Sequence, residues 1–136
     1  MNIYFAGSIR CGRHDKELYV QIIPLLSQYG RVLTDHVASS TLTDADENNI
    51  ASVIIYRRDM SWLKESDVVV EVTQPSLGVG YELVQAEVSG KWILCVHRNG
   101  YKLSAMISGN RGIMRREYNH IEDLTSIFKD FFDILQ

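Results

Sequence analysis

Residues 73–83 read Thr-Gln-Pro-Ser-Leu-Gly-Val-Gly-Tyr-Glu-Leu and combine a hydroxyl, two glycines and an acid in one short stretch. Glycine lets a ligand approach the backbone, and the free N–H groups at the start of a helix bind anions. Ser76 and Gly78 therefore indicate a phosphate cradle. Because Glu82 would repel a phosphate held beside it, we expect a nucleotide with its phosphate in the cradle and its sugar against Glu82.

A second loop with suitable chemistry follows the apolar N-terminal run. It reads Gly7-Ser8-Ile9-Arg10-Cys11-Gly12-Arg13 and contributes two glycines, a hydroxyl and two guanidinium groups. Arginine presents a planar fork to phosphate oxygens, while glycine lets backbone N–H groups come close. The order matches neither the P-loop nor the dinucleotide fingerprint, so a strand-to-helix turn with solvated arginines stays open beside phosphate binding.

Asp59 and His36 are further polar candidates. Asp59 shares a predicted helix face with Ile55 and Trp62, which places an acid in an otherwise apolar stripe. A surface acid paired with a neighbouring arginine is the alternative interpretation. His36 lies at the end of a predicted strand, where a histidine either forms structural hydrogen bonds or faces the ligand.

Secondary-structure elements must bring these candidate residues together in one site. Apolar, β-branched runs predict strands at 2–6, 31–37, 67–72 and 92–97, with a short last strand at 115–119. Helical spacing predicts helices at 15–29, 50–66, 103–107 and 121–135, and a further helix that ends at Gly90. The alternation predicts a single-domain Rossmann- or flavodoxin-like α/β fold over residues 1–136. We expect a parallel sheet of about five strands, flanked by helices, with ligand at the carboxyl strand ends.

Composition excludes several other functions. The chain has 136 residues, 46% of them hydrophobic, and a formal net charge of −3, so it has no field that would gather a nucleic-acid polymer. Two cysteines favour a reducing compartment. No apolar segment reaches spanning length, the first residues carry no signal-peptide pattern, and no cluster has metal-ligand spacing. We expect a soluble cytoplasmic protein, with the nucleus as an alternative, that needs no cofactor and binds no membrane.

The motifs resemble those of the 2′-deoxynucleoside 5′-phosphate N-hydrolases in the nucleoside 2-deoxyribosyltransferase family. The resemblance extends over nearly the whole chain. Gly-Ser-Ile-Arg is weak by itself, whereas Gln-Pro-Ser-Leu-Gly-Val-Gly-Tyr-Glu-Leu is specific. The stretches that carry it are residues 4–10, 32–37, 59–63, 73–83 and 103–107.

The resemblance implies that the N-glycosidic bond of a 2′-deoxynucleoside 5′-monophosphate is hydrolysed to free base and 2-deoxyribose 5-phosphate. Glu82 matches the nucleophile that forms a covalent glycosyl intermediate. Asp59 matches an acid that assists at the base or orients the sugar, and Tyr4 matches a tyrosine beside the nucleophile. This agrees with the chemistry of a carboxylate, which stabilises and captures an oxocarbenium ion before water releases the sugar.

The resemblance also implies a substrate-binding set and a homodimer. Ser104 and Met106 match residues that the partner subunit contributes, so the site would be shared. The chain departs from the pattern at Cys11, where the family commonly has glycine, and at Asp35, where glutamate is usual. The candidate substrate-binding residues are Gly7, Ser8, Ile9, Arg10, Gly12, Arg13, His36, Ser76, Gly78, Ser104, Ala105 and Met106.

Two other functions compete with hydrolysis. A deoxyribosyltransferase would use the same glutamate but pass the sugar to a second base, and it would have no need of groups around a 5′-phosphate. A nucleotide-binding module without turnover would gain little from acids near a phosphate. The phosphate-binding candidates therefore favour hydrolysis over transfer, and Glu82 with Asp59 and Tyr4 favours an enzyme over a binding module.

Overall fold

The computed structural model describes residues 1–7, 16–38, 50–72 and 76–136. Ser8, Ile9, Arg10, Gly12 and Arg13, with their predicted phosphate contacts, lie outside the described residues. The described strands form one sheet in the order β2-β1-β3-β4-β5, and every neighbouring pair is parallel. This is the flavodoxin-like order of a doubly wound α/β fold, as the sequence predicted. The strands are β1 (Asn2–Ala6), β2 (Arg31–Val32), β3 (Val68–Val72), β4 (Trp92–Arg98) and β5 (Met114–Tyr118).

Helices cover both faces of the sheet. One face packs against the first and last helices in a core that includes Phe5, Ile22 and Phe128. The other face packs against two central helices in a core that includes Tyr4 and Leu83. A strand buried on both faces is predominantly apolar, which explains the four valines among the five residues of the third strand. The helices are α1 (Lys16–Ser27), α2 (Ser52–Glu65), α3 (Leu77–Val88), α4 (Ala105–Ser108) and α5 (Asp123–Ile134).

The second strand is shorter than predicted. It spans only Arg31–Val32, and a 3₁₀ turn occupies Asp35–Ala38 where the sequence predicted continued strand. The side chain of Thr34 gives the reason: its hydroxyl accepts a hydrogen bond from the Phe5 N–H at 2.9 Å and donates one to the Phe5 carbonyl at 2.7 Å. A side chain thus replaces the next rung of the ladder, and the backbone is free to turn.

The sheet directs both glycine-containing stretches to one edge. β1 lies between β2 and β3, so the crossovers diverge there and leave a crevice at the carboxyl ends of β1 and β3. Gly7 immediately follows β1. Ser76 opens α3 after β3, with residues 73–75 outside the described part. The topology therefore places these two predicted phosphate-binding segments on the same side of the sheet.

Among the helices of the described residues, none is long and apolar enough to cross a bilayer. The other boundaries lie close to the predictions. Ser104 caps α4 and precedes it, and β5 begins at Met114, one residue before the predicted start.

Candidate active site

Tyr4, Asp59 and Glu82 converge from β1, α2 and α3. The Tyr4 side chain is only 2% exposed, and its hydroxyl donates a hydrogen bond to the Glu82 carboxylate. Asp59 is close enough that its charge acts on both of these groups. The three residues that the sequence assigned to catalysis therefore form one polar group between the sheet and the two central helices, with Tyr4 buried and the two acids partly exposed.

The surroundings of Glu82 bring the pKa of its carboxyl group close to neutrality. The pKa of Glu82 is raised to about 7: burial contributes most, the hydrogen bond from Tyr4 opposes the rise, and the charges of Asp59 and Glu71 add to it. Burial also raises the pKa of Tyr4, with help from Glu82 and Asp59, so its hydroxyl remains a donor. A carboxylate that titrates near neutrality suits nucleophilic or acid–base work.

Asp59 is held by its neighbours on α2. Arg58 Nε lies 2.9 Å from Asp59 Oδ1, and the side chains are 24% and 20% exposed. The Arg58 guanidinium also lies 5.0 Å from the centroid of the Trp62 ring. The Trp62 ring in turn packs against His36, with centroids 5.3 Å apart. The arginine pair that the sequence offered as an alternative thus exists, yet Asp59 still faces Tyr4 and Glu82. His36 is brought to the edge of this group through Trp62.

The N-terminus of α3 is built as the sequence predicted. The Ser76 hydroxyl accepts a hydrogen bond from the Val79 N–H at 3.4 Å, so Ser76 is the N-cap. A Cβ placed on Gly78 would meet nothing closer than the Ser76 Oγ, at 3.7 Å. The described protein therefore leaves space over this helix start, where N–H groups and the helix dipole favour an anion.

Gly7 has a different reason to be glycine. A Cβ there would lie 2.8 Å from Cζ of the Tyr19 ring, a distance that real Cβ atoms do not tolerate. The backbone at the end of β1 therefore lies directly against Tyr19 of α1. This packing fixes the start of the loop to which the sequence assigned phosphate binding.

Ser104, Ala105 and Met106 lie at the start of α4. All three are exposed, with Met106 at 80%, and the Ser104 hydroxyl accepts a hydrogen bond from the Met106 N–H at 3.2 Å. Ser104 and Met106 line a cavity of about 410 Å³ that Ser76 also borders, whereas Glu82 is not part of its wall. Within one chain, this cavity therefore adjoins the predicted nucleophile and does not include it.

Sequence reasoning missed Glu71. It lies in β3, is only 3% exposed, and accepts a hydrogen bond from the Cys95 thiol. The available signal was a lone acid in the apolar run Val-Val-Val-Glu-Val. Cys95, predicted to be a buried thiol, is indeed buried and free. Within the described ranges, no group of three or more histidine, cysteine or acidic side chains is arranged to hold a metal.

The fold and the site define a doubly wound α/β protein with a buried tyrosine–carboxylate pair beside a helix N-terminus. The family model of nucleoside 2-deoxyribosyltransferase matches residues 3–124, and the chain belongs to that family. A 5-hydroxymethyl-dUMP N-hydrolase from Danio rerio is 46% identical over 141 residues, which cover 99% of this chain and 98% of the relative. Its counterpart of the same name in Mus musculus is 53% identical over 112 residues, or 79% of this chain and 65% of the relative.

Among solved structures, a CMP N-glycosidase from Clostridium botulinum is similar with a TM-score of 0.70. The match covers 96% of this chain and 99% of that chain. At 15% sequence identity the likeness concerns the fold alone. It confirms the architecture that the sequence predicted.

Proposed function

We propose that this protein hydrolyses the N-glycosidic bond of 2′-deoxynucleoside 5′-monophosphates to free base and 2-deoxyribose 5-phosphate. The observation that carries the proposal is the Glu82 carboxylate beside the capped start of α3: it accepts a hydrogen bond from Tyr4, and burial raises its pKa to about 7. The relatives named as 5-hydroxymethyl-dUMP N-hydrolases support this substrate class.

The proposed reaction has two displacements at C1′. A carboxylate oxygen of Glu82 bonds to C1′ while the C1′–N bond breaks, and the bonding electrons leave with the base. Asp59 assists the departing base or orients the sugar. Water then attacks C1′ and the ester to Glu82 breaks, so the base has gained a hydrogen and the sugar a hydroxyl. Tyr4 holds one carboxylate oxygen throughout.

The 5′-phosphate is the proposed anchor. Ser76, Gly78 and the N-terminus of α3 provide the described part of the cradle, and Gly7 opens the loop that supplies the rest. Residues Ser8, Ile9, Arg10, Gly12, Arg13 and His36 remain predicted substrate contacts.

A substrate comparison tests the proposal directly. We expect kcat/KM for a deoxynucleoside 5′-monophosphate to exceed that for the corresponding deoxynucleoside by about 100-fold or more, because a charged anchor contributes several hydrogen bonds. Base release is followed chromatographically for 5-hydroxymethyl-dUMP, unmodified monophosphates and their nucleosides. Equal efficiency on nucleotide and nucleoside would contradict the proposal.

Transfer of the sugar to a second base is the competing function, because the matching family is that of the nucleoside 2-deoxyribosyltransferases. Both reactions pass through the same proposed glycosyl–Glu82 intermediate. Adding a tenfold excess of a different free base separates them. Hydrolysis predicts 2-deoxyribose 5-phosphate as the main product, whereas transfer predicts a new nucleotide that contains the added base.

We also propose a homodimer with shared sites. Leu77 and Met106 are 95% and 80% exposed, although both are large and apolar, and such side chains favour a protein interface. Ser104 and Met106 would then reach the partner's site. Light scattering gives the oligomeric state. Mixing inactive Glu82→Ala with an inactive Ser104→Ala/Met106→Ala variant should restore about a quarter of wild-type activity, because half the dimers would contain one intact site.

The remaining proposals concern organisation and compartment. Residues 1–136 are proposed to form a single domain. The protein is proposed to act in the cytoplasm, with the nucleus as an alternative, and the buried free thiol of Cys95 is compatible with a reducing compartment.

A further inference from the structure

Glu71 is a buried acid that the proposed reaction does not use. In the sheet it is level with Ala6 on β1 and with Cys95 on β4. It lines the same cavity as Val79 and Leu83, so it lies beneath the helix that carries Glu82. The acid therefore lies at the carboxyl ends of the central strands, beneath the helix that carries Glu82.

Packing alone does not account for an acid at this position. The other four residues of β3 are valines, and Glu71 itself is 3% exposed. A buried carboxylate is costly unless it receives hydrogen bonds. Here the Cys95 thiol donates a hydrogen bond to Glu71. Arg115 pairs with Cys95 from the neighbouring strand β5, and its positive charge opposes the rise in the pKa of that thiol. The Cys95 thiol is thus a hydrogen-bond partner that the sheet places beside the Glu71 carboxyl group.

We propose that Glu71 is a positioning residue for Glu82: held by the Cys95 thiol, it keeps a second buried negative charge beneath α3, behind the nucleophile. The role rests on the proposed function. Its effect is electrostatic, since a nearby like charge makes a carboxylate more basic, and a more basic carboxylate is a better nucleophile.

The groups that face Glu82 come from three elements. β1 supplies Tyr4, which donates a hydrogen bond; α2 supplies Asp59, which Arg58 pairs at 2.9 Å; and β3 supplies Glu71. Tyr4 lowers the pKa of Glu82, whereas burial, Asp59 and Glu71 raise it. Removing the charge of Glu71 alone should therefore make Glu82 less basic while leaving the other contacts in place.

The test is Glu71→Gln, which keeps the size of the side chain and an oxygen acceptor for Cys95. The Glu82 carboxyl carbon is titrated by ¹³C NMR in the ligand-free protein, with the signal assigned from Glu82→Gln. We expect the midpoint, about 7 in the wild type, to fall by roughly 0.5–1 pH unit. The acidic limb of kcat/KM should move with it.

Glu87→Gln is the matched control. Glu87 borders the same cavity from α3 but is exposed and accepts a hydrogen bond from Asn110 at 3.0 Å. Its substitution should leave the Glu82 midpoint unchanged. An equal shift in both variants, or no shift in Glu71→Gln, would overturn the positioning role. The NMR titration needs no turnover, so a protein without hydrolase activity would refute the proposed function and leave this result intact.

A second pair of variants applies if Glu71→Gln does not fold. Cys95→Ser keeps a donor to Glu71 and should preserve the Glu82 midpoint. Cys95→Ala removes the donor that supports the proposed charge of Glu71, so the Glu82 midpoint should fall as in Glu71→Gln. Identical midpoints in the serine and alanine variants would refute the support that Cys95 is proposed to give.

Discussion

The hydroxyl of Tyr4 donates a hydrogen bond to the carboxylate of Glu82, and the two residues reach each other from a central strand and from the helix above it. Burial raises the pKa of Tyr4, so the hydroxyl keeps its proton and always acts as a donor. One carboxylate oxygen is thereby fixed, which leaves the other oxygen for the proposed attack on C1′. The hydrogen bond from Tyr4 therefore orients the Glu82 carboxylate and also lowers its pKa.

Tyr4→Phe should raise the pKa of Glu82 above its value of about 7, because the hydrogen bond that lowers it is lost while burial and Asp59 remain. The phenylalanine ring fills the same space, so packing should be preserved. We expect the acidic limb of kcat/KM to move upward by roughly one pH unit, with a larger loss of activity at pH 6 than at pH 9. A uniform loss across the pH range would instead indicate disturbed geometry.

Glu82→Gln should abolish base release yet stabilise the protein at alkaline pH. The pKa of Glu82 is raised from 4.5 to about 7 by folding, so the folded state binds the proton more tightly than the unfolded state. Stability from this group is present below about pH 4.5 and is lost as pH rises through 7. A neutral glutamine avoids that loss and should raise the free energy of unfolding by roughly 1–3 kcal/mol at pH 8.

Urea unfolding of Glu82→Gln and wild type at pH 8 and pH 4 measures the difference. The stabilisation should disappear at the acidic pH, where the wild-type carboxyl is protonated in both states. Base release should fall by at least about a thousandfold, since the proposed nucleophile is gone. Nucleotide binding, followed by calorimetry, should remain measurable. Equal unfolding free energies at pH 8 would contradict the raised pKa.

The sheet and the helix that carries Glu82 were predictable because their signals are local. An apolar run followed by proline, serine and glycine predicts a buried strand and a helix start, and β3 and α3 confirm it. The end of β2 was not predictable. It depends on Thr34 replacing a backbone rung on Phe5, which is 29 residues away in sequence. No periodicity in residues 31–37 contains that information.

The candidate site also has features that the sequence predicts and features that it does not. Helical spacing placed Asp59 on a half-buried face, but its contacts with Arg58 and its position beside Glu82 depend on how α2 packs against the sheet. Glu71 was overlooked because a single acid in a strand does not reveal which neighbour supports it. Cys95 supplies that support from an adjacent strand, and only the parallel register places the two side by side.

Ser76 has two separable roles, capping α3 and contacting the proposed phosphate. Ser76→Ala removes the acceptor for the Val79 N–H and should cost about 0.5–1 kcal/mol of stability, together with a higher KM for the monophosphate. Ser76→Asp keeps a good N-cap but adds a negative charge. It should therefore retain stability while raising KM more than alanine does. Thermal unfolding and steady-state kinetics separate the two effects, and a lower KM in the aspartate variant would refute phosphate binding here.

Arg58 should matter more for catalysis than for stability. Its Nε lies 2.9 Å from Asp59 while its guanidinium lies over Trp62 at 5.0 Å, so two contacts fix the orientation of the carboxylate. The pair is partly exposed, and such pairs contribute only about 0–1 kcal/mol to folding. Arg58→Met should therefore change the unfolding free energy by less than about 1 kcal/mol, yet lower kcat by about tenfold because Asp59 is no longer held.

Arg57→Met is the matched control, since Arg57 is the exposed neighbour on the same helix and loses the same charge. It should leave kcat within about twofold of wild type, because the lost charge does not orient Asp59. Arg58→Lys keeps the charge but lacks the planar fork, so it should recover only part of the loss. If Arg57→Met and Arg58→Met lowered kcat equally, the effect would come from net charge, and the positioning of Asp59 by the Arg58–Trp62 contact would be wrong.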